Sequence, residues 1–247
     1  MSAAQVWVVD LALRPGDLDR CGAVLDGAER LRADRFLRPA DRARFVASHA
    51  ALRLILADAL GVLPAAVEIA VGPNGKPELA DAAEGVLQFN LSHSGERALI
   101  GLARDTPIGV DVEAVRPMSD ALRIAQGHFA ADEVSALAKA PRSMVERRFF
   151  GLWTRKEAVV KALGSGLSLP LDRFSVSVPP DVPRLLRAVG DESWDLDGPW
   201  TLMDLDCGAD HVATAAVQAA EAAVTCHRLS DDWPDHLGRK GATPRLR

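Results

Sequence analysis

"IGVDVEAV", residues 108–115, keeps the two-residue period of a β-strand. Ile108, Val110 and Val112 fall on one face, and Asp111 and Glu113 share the other. The apolar face predicts a buried strand. The acidic face poses a physical problem, because two carboxylates side by side repel each other. A divalent cation or a cluster of basic side chains would offset that repulsion.

Reading outward, this stretch restarts a pattern. Before it, "VWVVDLAL" (6–13) reads as a strand and "PGDLDRCGAVLDGAERLRADRF" (15–36) as a helix. A stronger helix follows in "PADRARFVASHAALRLILADALG" (39–61), with Pro39 suited to its start and Gly61 to its end. "AVEIAV" (66–71) and "GVLQFNL" (85–91) read as short strands before and after the turn region "GPNGKP" (72–77), and "RALIGLA" (97–103) as another strand. After residue 108 come helices in "SDALRIAQG" and "ADEVSALAKA", a long helix from about 141 to 163, and strands in "RFSVSV", "WTLMDL", "HVATAAV" and "AAVTCHRL". The first strands of the two halves are offset by about 102 residues and the long helices by about 103. This spacing predicts an α+β protein of two pseudo-symmetric tandem subdomains with the active site in the cleft between them. The subdomains are expected at 1–106 and 107–229, and 230–247 as a loosely ordered tail.

Composition narrows the classes. The 247 residues, 48% hydrophobic and 26% charged, can bury a large core. A net charge of -5 argues against general nucleic-acid binding. Cys21, Cys207 and Cys226 are few, far apart and odd in number, so reduced thiols and a cytoplasmic location are expected. No cysteines stand at zinc-ligand spacing. The opening "MSAAQVWVVD" lacks the basic segment and apolar run of a signal peptide, and no stretch approaches the roughly 20 apolar residues of a membrane span.

Four further motifs carry chemistry. In "WTRKEAVVK" (153–161), Trp153, Glu157 and Lys161 share one side of a helix. The plainer reading is a solvated Glu157–Lys161 pair with Trp153 in the core. Arg155 and Lys156 beside it, and the glycines Gly164 and Gly166 beyond it, favour a site. "FNLSHS" (89–94) sets Ser92 and His93 at a strand end. Adjacent strand side chains diverge, and no G-x-S-x-G elbow occurs, so a Ser-His-Asp hydrolase loses support. "GKPEL" (75–79) places Lys76 on a glycine turn. Arg44 and Arg53 lie nine residues apart on the first long helix. Neither a P-loop nor a dinucleotide fingerprint is present.

Together "GVDVE" (109–113), "WTRKEAVVK", "GKPEL", "FNLSHS" and "GLSLPLDRFSV" (166–176) resemble the motifs of 4'-phosphopantetheinyl transferases of the surfactin-synthetase-activating type, over roughly residues 30 to 215. The resemblance implies a Mg²⁺-dependent enzyme, with Mn²⁺ as a substitute metal. It would move the 4'-phosphopantetheine group of coenzyme A to a serine of an apo acyl or peptidyl carrier protein, releasing adenosine 3',5'-bisphosphate. It implies Asp111, Glu113 and Glu157 as metal ligands and Lys161 on the diphosphate. It implies His93 on the 3'-phosphate with Ser92 beside it, Lys76 near the adenylate, and Arg44 and Arg53 as further donor contacts. Glu133 of "HFAADEVSAL" would be the base for the carrier serine, a task that a metal-bound water could also perform. Arg30 and Arg32 match only loosely and stay outside this set. A monomer, with no nucleic-acid or membrane partner, is expected. The rival readings are a non-catalytic relative that binds coenzyme A or a carrier, and a Mg²⁺-dependent nucleotide hydrolase.

Overall fold

In the computed structural model, residues 2–72, 75–80, 87–188 and 195–241 are described. The first half runs β1 (Ala3–Asp10), α1 (Asp17–Val24), α2 (Gly27–Ala33), α3 (Pro39–Leu60), β2 (Ile69–Val71), β3 (Pro77–Leu79), β4 (Leu87–Ser94) and β5 (Arg97–Arg104). The second runs β6 (Ile108–Ala114), α4 (Ala121–His128), α5 (Ala131–Ala138), α6 (Val145–Leu163), β7 (Phe174–Val176), β8 (Leu185–Ala188), β9 (Thr201–Asp204), β10 (His211–Val217) and β11 (Ala223–Arg228).

The repeat read from the pattern is present in the topology. One sheet has the order β11-β1-β5-β4, the other β6-β10-β9. In each half the first strand pairs antiparallel with the last strand of a β-hairpin or its equivalent, β1 with β5 and β6 with β10. In each half a long helix comes, in sequence, between the two strands of that pair: α3, then α6.

Strand alternation sorts the core into three layers. Trp7 and Val9 of β1, with Ile100 and Leu102 of β5, pack with the α3 side chains Phe45, Leu52 and Ile55. The opposite positions, Val6, Val8 and Leu99, pack against Ile108, Val110 and Val112 of β6 and against Ala213, Ala215 and Val217 of β10. Both faces of β1 are therefore covered, which explains its almost unbroken apolar run. A third cluster gathers Phe149, Leu152 and Val159 of α6 with Phe129, Phe174 and Ala216.

Three expectations are corrected. The single helix read over 15–36 is two short helices. Asp26 interrupts it as the N-cap of α2: its Oδ1 accepts from the Glu29 N–H at 2.8 Å, and Glu29 Oε2 accepts from the Asp26 N–H at 3.0 Å. This reciprocal box satisfies two amides a continuous helix would have paired internally. Second, β11, expected with residues 107–229, returns to the first half, where it pairs parallel with β1 from Ala3↔Ala223 to Val8↔Arg228. Third, 230–241 is not a loose tail. Trp233 and Leu237 are buried in the first-half core, and Asp235 pairs with Arg14 and Arg20 at 3.0 and 2.7 Å. Residues 242–247 lie outside the described residues. All three cysteines are free.

Candidate active site

The two sheets meet at β4 and β6. On the inner face of β4 the residues are polar: Asn90, Ser92 and Ser94. They take the place of a backbone ladder. The N–H groups of Val110, Val112 and Ala114 donate to Asn90 Oδ1 (2.9 Å), Ser92 Oγ (3.4 Å) and Ser94 Oγ (3.1 Å). The unpaired edge of β6 is thus satisfied by every second side chain of its neighbour. Each serine hydroxyl then donates onward: Ser92 to Asp111 Oδ1 at 2.8 Å and Ser94 to Glu113 Oε2 at 2.9 Å.

The acidic face of β6 lies under α6. A Cβ built on Gly109 would sit 2.0 Å from the Ala158 carbonyl oxygen and 2.4 Å from the Ala162 nitrogen, so only glycine lets the helix lie this close. That approach brings Lys161 to the strand, where its Nζ donates to Asp111 Oδ1 at 2.6 Å and to Ser92 Oγ at 3.1 Å. Arg116 stands 3.6 Å from Glu113 Oε2 and lies over the Phe150 ring, 4.8 Å from its centroid.

The charges are strongly coupled. Burial raises the Asp111 carboxyl above its ordinary range, against the pull of Lys161. Burial and then the Asp111 charge raise Glu113, while burial followed by the charges of Asp111 and Glu113 raises Glu157. Asp111 Oδ2 is buried with no hydrogen-bond partner. That orphaned oxygen, and an Asp111 charge that raises both Glu113 and Glu157, fit a hard divalent cation. The side chains are not gathered into a cage, however. Among the described residues no group of three His, Cys, Asp or Glu side chains stands ready to hold a metal ion.

From Lys161 a cleft of about 480 Å³ runs into the first half, past Ser92 and His93 to Phe45, His49 and Ile69. Buried Phe45, Leu52 and Phe89 give it apolar walls, with His49 stacked on Phe45 at 4.0 Å between centroids, and Arg32, His93 and Lys161 line it as well as Asp26 and Glu29. His93 on its wall is open to solvent. The enclosing walls, followed by the nearby charges of His49, Lys161, Arg44 and Arg32, hold its pKa below the usual histidine value.

The remaining residues of the sequence reading divide. Arg44 is not among the residues that line the cleft; its charge is felt at His93, and Glu96 holds its guanidinium at 2.6 and 2.9 Å. Lys76 Nζ donates to the Ala162 carbonyl at the end of α6, at 2.9 Å, and burial lowers its pKa. Gly75 and Pro77 on either side of Lys76 line the cleft. Arg53 and Glu133 are corrected. The Arg53 side chain is 0% exposed and joins Glu29 (2.6 Å), Asp26 (2.6 Å) and the Val67 carbonyl (2.8 Å). It ties α3 to α2 and cannot reach a ligand. Glu133, 1% exposed, is paired at 2.7 Å with Lys156, itself 0% exposed, and accepts the Ala130 and Val176 N–H groups. Lys156 lies about 100° around α6 from Glu157, so Glu133 serves the far side of that helix and not the carboxylate cluster.

Sequence reasoning gives Ser94 at the strand end and Phe45 in the α3 stripe no role in the site, misses Arg116 and His49, and sets Arg32 aside although Arg32 lines the cleft and lies over the Phe45 ring at 5.3 Å. For Ser94 a signal existed: its two-residue spacing from Ser92 mirrors that of Asp111 and Glu113.

Residues 107–216 match the family model described as the 4'-phosphopantetheinyl transferase superfamily, and residues 14–104 match that described as 4'-phosphopantetheinyl transferase, N-terminal. Among similar proteins, the chain is 35% identical over 213 residues to the 4'-phosphopantetheinyl transferase HetI of Nostoc sp., covering 86% of each chain. It is 31% identical over 173 residues to the 4'-phosphopantetheinyl transferase Sfp of Bacillus subtilis, covering 70% of this chain and 75% of that one. A Synechocystis sp. protein provisionally given the same enzyme name is 39% identical over 166 residues, 66% of each chain.

Proposed function

The chain belongs to the 4'-phosphopantetheinyl transferase superfamily, and on that premise we propose that it moves the 4'-phosphopantetheine group of coenzyme A onto a serine of an apo acyl or peptidyl carrier domain. The observation that carries the reading is the meeting of Asp111 and Glu113 from β6 with Lys161 from α6 at the end of the His93 cleft.

The adenine ring suits the apolar walls at Phe45 and Ile69, and Lys76 stands between the lining residues Gly75 and Pro77 with its ammonium on the Ala162 carbonyl. His93 on the cleft wall, with Arg44 near it, suits the 3'-phosphate. Arg44 is fork-shaped and already holds a carboxylate, that of Glu96. The diphosphate then reaches Lys161 and Ser92. Asp111, Glu113 and Glu157 would hold Mg²⁺, or Mn²⁺, which when bound neutralises diphosphate charge. The carrier serine oxygen attacks the phosphorus that bears the pantetheine arm. The bond from that phosphorus to the bridging oxygen breaks, and adenosine 3',5'-bisphosphate departs. The chain's own contribution is positioning and charge. Lys161 stands where negative charge leaves with the nucleotide. Glu133 being locked to Lys156, we assign the serine proton to Glu157, the cluster carboxylate that α6 carries one turn from Lys161. Three free thiols accord with action in a reducing compartment such as the cytoplasm.

The test is to incubate the protein with coenzyme A, Mg²⁺ and an apo carrier domain and weigh the carrier. A gain of one phosphopantetheine group supports transfer. Tight coenzyme A binding with no mass gain would establish the non-catalytic alternative, and phosphate release from free nucleotides the hydrolase.

A further inference from the structure

Two of the three clustered carboxylates already have a cation of the chain's own. Lys161 Nζ sits 2.6 Å from Asp111 Oδ1, and the Ser92 hydroxyl donates to the same oxygen at 2.8 Å. Arg116 stands 3.6 Å from Glu113. The Asp111 side chain is 5% exposed, and that of Lys161 28%. A carboxylate so enclosed needs a positive partner. Yet Asp111 is half satisfied, because Oδ1 takes both bonds while the equally buried Oδ2 takes none. One lysine therefore lies on the same carboxylate whose free oxygen, Oδ2, a divalent ion would take. A divalent ion on that oxygen and the ammonium on the other repel each other across one carboxylate.

We infer that Lys161 is an internal counter-ion of the metal-free site: it holds Asp111 in place, is displaced when a divalent cation enters, and is thereby released to the donor's diphosphate. The inference rests on the metal reading proposed above and extends it. Metal entry and diphosphate capture become linked steps, because the ammonium that leaves Asp111 is the one the diphosphate receives. The side chain has four rotatable carbons and is partly exposed, so it can swing without moving α6. Ser92 stays behind and keeps Asp111 oriented through its own hydrogen bond.

The test measures Mn²⁺ binding to the coenzyme-A-free protein by electron paramagnetic resonance, with no turnover involved. Wild type is compared with Lys161→Met, Lys161→Gln and Lys161→Arg. Both neutral variants should bind Mn²⁺ about tenfold more tightly, equivalent to about 1.4 kcal/mol. That figure lies just below the worth of one charge-assisted hydrogen bond. Lys161→Arg, which keeps the competing cation, should stay within about threefold of wild type. Without metal, Lys161→Met should melt lower than wild type, and added Mn²⁺ should raise its melting temperature by more. If wild type binds Mn²⁺ and neither neutral variant gains affinity, the counter-ion role is overturned and the metal reading survives. If none of the four proteins binds Mn²⁺, both fall.

Discussion

Replacing Gly109 with alanine tests how the closeness of α6 to β6 builds the site. The added Cβ would lie 2.0 Å from the Ala158 carbonyl oxygen, 2.4 Å from the Ala162 nitrogen and 3.0 Å from the Lys161 carbonyl carbon. Ordinary carbon–oxygen contacts are about 3.3–3.6 Å, so the helix must retreat by more than about 1 Å. All three atoms are backbone, and no side chain can turn away to make room. Overpacking of this kind costs about 1–3 kcal/mol, and rigid backbone on the receiving side places it near the upper limit. For a chain of this size about 3 kcal/mol lowers the melting temperature by about 6–12 °C. The retreat also carries Glu157 and Lys161 away from Asp111. A displacement of about 1 Å at a reacting centre is worth about 10²-fold in rate. The assays are a thermal melt and a carrier-modification rate measured well below both midpoints, so that unfolding does not mimic misplacement. Gly22→Ala is the matched control. Gly22 lies inside α1 with nothing within 4 Å of its virtual Cβ, and helix propensity there should raise stability by about 0.5–1 kcal/mol. A Gly109→Ala protein with the wild-type melting temperature and rate would refute the close-packing account of the motif's glycine.

Three other substitutions probe separate parts of the site. Glu157→Gln keeps the side-chain shape while removing a charge from the cluster; the transfer rate should fall at least about tenfold and the Mg²⁺ requirement rise, and Mg²⁺ titrations superimposable on wild type would leave Glu157 a surface residue worth about 0.2–0.5 kcal/mol. His93→Ala should weaken coenzyme A by about 10–150-fold, equivalent to about 1.5–3 kcal/mol, and leave dephospho-coenzyme A unaffected. Because the free-protein pKa of His93 is lowered, coenzyme A should bind with proton uptake near pH 7, seen by calorimetry in buffers of different ionisation enthalpy; equal binding losses for both donors would mean that His93 only supports the fold. Glu29 is raised by burial but held below its ordinary value of 4.5 by His49, the Asp26 N–H and Arg53. Its contribution to stability is complete above pH 4.5 and is lost as pH falls through the lower folded value. Glu29→Gln should therefore destabilise by about 2–3 kcal/mol at pH 7 and flatten the acid limb of the melting curve, whereas parallel curves would place the titrating group elsewhere.

What could be read from the sequence was whatever local periodicity decides. The β6 alternation, the Pro39 and Gly61 ends of α3 and the shared face of Glu157 and Lys161 are local properties, and each stands in the structure as its spacing implies. The roles of Arg53 and Glu133 depend on partners far away in the chain. Arg53 is consumed by Asp26 and Glu29, and Glu133 by Lys156 and the Val176 amide. No spacing on α3 or α5 reports those partners, so a charged helix residue that looks free to meet a ligand is instead spent on the core. The return of β11 to β1 is likewise invisible to periodicity, because an isolated strand pattern does not say which sheet edge it joins.

The seam between β4 and β6 explains why an acidic pair can persist inside an apolar sandwich. Positions 90, 92 and 94 face the same interior as Leu99 on the neighbouring strand, and valine there would pack without difficulty. It would also strand three β6 amides and take a hydrogen-bond donor from each of Asp111 and Glu113. Each serine meets both demands with one hydroxyl, accepting an N–H from β6 and donating to a β6 carboxylate. The same bonds that join the two halves also aim the carboxylates at α6. Stability of the interface and orientation of the site are therefore not separable properties of this fold, and neither serine can be exchanged for an apolar residue without losing some of each.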